Sequence, residues 1–72
     1  METIDLHGVK HGDVGKILDT IFWNLMQSNQ SSVKIITGNS ETMKQLVRTT
    51  CDEYGFIVVD EFNLPYLIIN LI

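Results

Sequence analysis

The chain has a single cysteine, Cys51, so an internal disulfide is excluded. Cys51 falls within a helical apolar pattern and is read as a buried, inert thiol. The spacing of His, Cys, Asp and Glu offers no metal-ligand set, and no cofactor is expected. No apolar run is long enough to span a bilayer, and no basic segment followed by an apolar one opens the chain. The expectation is a soluble, cytoplasmic protein with no membrane partner. Basic residues are also few, five Lys and Arg against nine Asp and Glu, for a formal net charge of −4. That balance argues against binding nucleic acid by bulk electrostatics alone. A local patch remains open: Lys10, His11 and Lys16 follow the first strand, and Lys44 and Arg48 stand four apart on one side of a helical pattern. From the residues alone these are either solvated charges or the rim of a site.

Low-complexity tracts are absent as well. With 44% hydrophobic and 19% charged residues the composition is that of an ordered globular chain. At 72 residues there is room for one domain, spanning 1–72. A core this small is marginal unless it packs well or the chain associates.

What is present is organised around Thr3-Ile4-Asp5-Leu6-His7-Gly8. In a strand, alternate side chains point to opposite faces, so Ile4 and Leu6 go one way and Thr3, Asp5 and His7 the other. An acid and an imidazole therefore share a face, and Gly8 follows where a chain turns sharply. Two readings stay open here, ordinary solvent-facing residues or a paired acid and imidazole.

Asp13 is read as the N-cap of a helix whose stripe is Val14, Ile17, Leu18, Ile21, Phe22 and Leu25, ending near Ser28 or Asn29. Trp23 falls opposite the stripe. Ser32 to Thr37 is a short β-branched strand. After Gly38-Asn39-Ser40 comes a second stripe of Met43, Leu46, Val47, Thr50, Cys51 and Tyr54, capped by Asn39 or Ser40 and closed by Gly55. Two strands, Phe56 to Phe62 and Tyr66 to Leu71, form an antiparallel hairpin through Asn63-Leu64-Pro65.

The order β-α-β-α-β-β predicts an α+β two-layer sandwich with two helices on one face of a mixed four-stranded sheet. A strand-helix-strand unit is a right-handed crossover between parallel strands, so the first two strands end on the same sheet edge. This brings His7-Gly8 toward Thr37-Gly38. The last strand is apolar on both faces and reads as interior. If Leu6 packs beneath the helices, Asp5 and His7 lie on the open face, with some of Tyr66, Ile68 and Ile72. Such an apolar patch is read as a homodimer contact rather than a cofactor pocket. Thr37-Gly38-Asn39-Ser40 is a strand-to-helix turn whose backbone N–H groups suit either a phosphate or a simple cap.

Ile4-Asp5-Leu6-His7-Gly8, followed by a helix, an apolar strand and a Thr-Gly turn, resembles the Smr (small MutS-related) domain. That family carries a Leu-Asp-Leu-His-Gly motif and a later His- or Thr-Gly-x-Gly motif, and the likeness runs from Thr3 to Leu71. It implies a fold similar to the C-terminal domain of bacterial translation initiation factor three, with strand order 1-2-4-3 and an antiparallel fourth strand. It also implies nicking or endonucleolytic cleavage of DNA or RNA, in some members on messenger RNA at ribosomes. Asp5 and His7 match the catalytic acid and imidazole, Gly8 the turn after them, and Thr37 and Gly38 the start of the second motif. Asn39 stands where a basic residue is frequent. Ser40 replaces the second glycine, and a domain this short is expected to work without the long flanking regions through which many relatives reach their targets.

The functional expectation is a small nuclease, acting on RNA in preference to DNA. His7 serves as general acid or base and Asp5 orients it. Gly8, Lys10, His11, Thr37, Gly38, Asn39, Ser40 and Lys44 hold the substrate. The alternative is a non-catalytic module of the same fold that binds nucleic acid, a nucleotide or a protein through the open sheet face.

Overall fold

The computed structural model describes residues 2–60 and 64–71. Its elements are β1 (Glu2–Asp5), α1 (His11–Gln27), β2 (Ser32–Ile36), α2 (Glu41–Tyr54), β3 (Ile57–Val59) and β4 (Tyr66–Asn70). They form the expected α+β sandwich, with a mixed sheet in the order β1-β2-β4-β3. β1 and β2 are parallel, and β4 runs antiparallel to both of its neighbours. This is also the strand order that the Smr resemblance implies.

Strand alternation accounts for the layering. Leu6, Val33, Ile35, Leu67 and Ile69 leave the sheet on one side and are buried there against Val14, Leu18, Phe22 and Leu25 of α1 and Met43, Val47 and Cys51 of α2. β4 lies between two strands, so its Leu67 and Ile69 are buried while Tyr66 and Ile68 are half-covered on the other side. That position explains an apolar sequence on both faces. One end of the helix layer is aromatic: Phe22 meets Tyr54 and Phe56 edge-on, with centroids 5.2 and 5.1 Å away. The Tyr54 hydroxyl donates to Asp19 Oδ1 at 2.9 Å, tying α2 to α1.

α1 begins earlier than its sequence suggests. Asp13 is not the N-cap; Lys10 holds that position without a side-chain cap bond, and the Asp13 N–H donates to the Lys10 carbonyl. An acid inside the first turn favours the helix dipole much as a capping acid serves the turn before it, so one Asp fits either position. α2 starts as expected, with Ser40 Oγ accepting the Met43 N–H at 3.1 Å. It ends on Gly55 at φ +75°, where the left-handed backbone lets the Phe56 N–H reach the Cys51 carbonyl.

β3 is shorter than the expected Phe56 to Phe62. Its ladder stops at Val59, opposite Ile68, and Asp60 then pairs with the Arg48 guanidinium on α2. Glu61, Phe62 and Asn63, the last of these the first residue of the expected hairpin turn, lie outside the described residues. Trp23 is 60% exposed on the outer side of α1. Among the described residues, no helix is long and apolar enough to cross a membrane.

Candidate functional site

The site is built by the register of the two parallel strands. Asp5 stands opposite Ile36, and the ladder continues one bond further with the Leu6 N–H donating to the Ile36 carbonyl at 2.9 Å. The same register carried onward sets Leu6 beside Thr37 and His7 beside Gly38. The side chains agree: a Cβ built on Gly38 would stand 3.3 Å from His7 Cδ2, so the imidazole lies against the glycine. Two stretches some thirty residues apart in sequence thus meet at one corner. Both lie at C-terminal strand ends, as the right-handed crossover requires.

Two local devices hold the first stretch. The Val9 N–H donates to the Leu6 carbonyl at 3.0 Å, closing a turn through His7 and Gly8, with Gly8 at φ +84°. Asp5 Oδ1 accepts the main-chain N–H of His7 at 2.9 Å, an Asx turn that pins the corner. The carboxylate therefore steadies the backbone that carries the imidazole, in place of the ring contact expected from the sequence. Asp5, His7 and Gly8 are exposed, while Leu6 between them is buried beneath the helices. Lys10 and His11 continue the connection at the start of α1, both exposed.

The second stretch is more enclosed. Thr37 is buried, and its hydroxyl donates to the Gly38 carbonyl at 2.8 Å. The N–H groups of Thr37 and Gly38 both donate to the Pro65 carbonyl at 2.9 Å. The Gly38 amide expected to meet a phosphate is thus already occupied in this conformation. Ser40 Oγ is engaged in capping α2, and Asn39 is exposed between the two. Pro65 had no signal of its own in the local sequence. Its place follows from the antiparallel pairing of Ile36 with Tyr66, which sets the residue before β4 beside the residue after β2.

Lys44 departs from its expected place in an exposed patch. It is 4% exposed on α2, next to the buried Met43 and one turn before Val47, so its stem is packed rather than free in solvent. Arg48, its expected companion, is paired with Asp60. Lys10 and His11 are then the exposed basic residues that the first corner brings close. Among the described residues, no three side chains of the metal-binding types gather into a ligand set.

The open sheet face presents Ile36, Tyr66, Ile68, Ile57 and Val59, with Ile57 61% exposed. Lys34 lies across it, its Nζ 4.2 Å from the Tyr66 ring centroid, a cation–π contact that covers part of the apolar surface. Ile72, also expected there, lies outside the described residues.

No family model matches the chain, and no curated protein or solved structure does so either.

Proposed function

We propose that the chain acts on nucleic acid, RNA in preference to DNA, as a small Smr-like nuclease with the His7–Gly38 corner as its site. The observation that carries this reading is the imidazole of His7 lying exposed against Gly38, so that the two motifs of the resemblance meet in one place. His7 acts there as general base on a 2′-hydroxyl or water, or as acid on the leaving oxygen. Asp5 serves as a positioning residue through the His7 backbone. Lys10 supplies nearby positive charge in an otherwise acidic chain, and His11 beside it is a further hydrogen-bonding group. A single positioned acid or base is worth about 10²- to 10⁴-fold, so turnover is slow unless binding positions the phosphodiester well.

One observation favours a second reading, a non-catalytic module that keeps the fold and binds nucleic acid, a nucleotide or a protein. The Pro65 carbonyl already occupies the Thr37 and Gly38 amides, which removes donors a phosphodiester would use in the transition state.

The two readings separate on incubation with labelled single-stranded RNA, duplex DNA and ribosome-bound messenger, beside His7→Ala and with chelator present. The nuclease reading expects cleavage of RNA that His7→Ala abolishes. Cleavage that survives His7→Ala removes the role of His7, and binding without cleavage selects the second reading.

A further inference from the structure

We propose that β1 is the seam of a homodimer, in which two copies of the chain pair their β1 strands antiparallel about a two-fold axis passing between the two Ile4 residues. β1 is an edge of the sheet. In a parallel ladder alternate residues bond to the same neighbour, and the Leu6 N–H bonds inward to Ile36. Glu2 and Ile4 share that parity, so Thr3 and Asp5 turn both their N–H and C=O groups outward. The next outward donor, the His7 N–H, is taken by Asp5 Oδ1, which ends the free edge there.

A groove of about 260 Å³ runs beside this edge, lined by Glu2, Ile4, Ile21, Asn24, Leu25 and Ser28. Ile4 and Ile21 are only half-buried in it. Apolar side chains next to an unpaired strand edge invite another strand.

The edge is self-complementary in one register. Antiparallel pairing joins outward residues to outward residues. Centring on Asp5 would set two carboxylates opposite each other, which is destabilising. Centring on Thr3 would leave Asp5 with no partner inside β1. Centring on Ile4 joins Thr3 to Asp5 of the partner subunit and Asp5 to Thr3 of the partner subunit, each pair exchanging hydrogen bonds in both directions. A threonine hydroxyl then meets a carboxylate on the open face, and Glu2 opposes Leu6 of the partner subunit. The two Asp5 carboxylates stand diagonally, roughly 8 Å apart and near one Debye length in physiological salt.

The helix layer fits the same join. Two helices over four strands give one helix for each pair of strands. Continuing the sheet places the two α1 helices about 10 Å apart, the distance at which helices pack. Ile4, Ile21 and Asn24 of both copies close the groove across the axis. The seam is distinct from the apolar open face, which stays uncovered.

The test needs no ligand. Sedimentation equilibrium over a wide concentration range measures the dimer. Amide exchange of the unaltered chain at high and low concentration then reads the seam: Thr3 and Asp5 should gain protection with concentration while Ile4 and Leu6 stay protected throughout. Thr3→Pro removes an outward donor and leaves the β1–β2 ladder intact, so it should weaken the dimer roughly ten- to hundred-fold with the monomer still folded. A chain that stays monomeric throughout overturns the proposal. So does a dimer in which Thr3 and Asp5 exchange freely, which would place its contact on another face.

Discussion

The imidazole of His7 lies tight against Gly38, with Cδ2 3.3 Å from the position that a Cβ there would take. Gly38 also sits at φ +68°, where a left-handed backbone strains any residue with a Cβ. Gly38→Ala should therefore cost about 1–2 kcal/mol in urea unfolding from the backbone alone. The His7 ring has to shift as well, so its proton resonances in the folded variant should move while those of His11 do not.

Ser40 tests whether the turn after β2 does anything beyond capping. Its hydroxyl accepts the Met43 N–H. Ser40→Ala should cost about 1 kcal/mol of stability, and Ser40→Asp, which can keep the cap, should recover most of it. If the turn also meets phosphate, Ser40→Asp should restore stability yet weaken RNA binding. The comparison needs unfolding curves and a binding titration on the same samples.

Phe22 is fully buried and edge-on to both Tyr54 and Phe56, which stack on each other. Phe22→Ala should cost about 3–5 kcal/mol, a large share of what a domain of this size can hold. Circular dichroism with temperature should show a broad, early transition or none. Trp23→Ala, one residue along and 60% exposed, should leave the transition within about 0.5 kcal/mol of the parent.

Alkaline pH should destabilise the fold. Burial, with Asp52 adding to it, pushes the Cys51 thiol from 9.0 up to about 12. The folded state holds that proton after the unfolded chain has lost it, so stability is intact below pH 9 and falls between pH 9 and 12. The slope approaches about 1.4 kcal/mol per pH unit. Cys51→Ala should flatten this fall, and Cys51 in the native parent should react with a thiol reagent only through unfolding.

Tyr54 acts in the same direction. Its hydrogen bond to Asp19, with smaller effects of desolvation and of the Asp19 and Glu53 charges, holds its pKa above the usual 10.0. Tyrosinate absorbance should show Tyr54 ionising late, and Asp19→Ala, which removes the acceptor, should bring that ionisation earlier. No change on that substitution would mean the bond is not populated in solution.

The sequence alone determined the elements and their layering, because helix and strand periods depend on residues only a few positions apart. The stripe from Val14 to Leu25 and the β-branched Val33 to Ile36 state which side is buried, and the two-sided apolar character of Tyr66 to Leu71 states that β4 is interior. Strand polarity and crossover handedness then bring His7 to Gly38 without further information. Other features required the folded chain. Whether Asp13 caps α1 or sits inside its first turn depends on where the preceding turn closes, and Gly8 and Val9 decide that. Lys44 is covered through packing that its helical phase does not report. The Gly38 amide is occupied because β4 returns Pro65 beside it, a contact 27 positions away in sequence. The Asp5 carboxylate found the backbone N–H two residues on before the imidazole, since a short side chain at a turn reaches its own main chain first. Such outcomes are set by competition among distant partners for the same donors, and only the tertiary structure decides them.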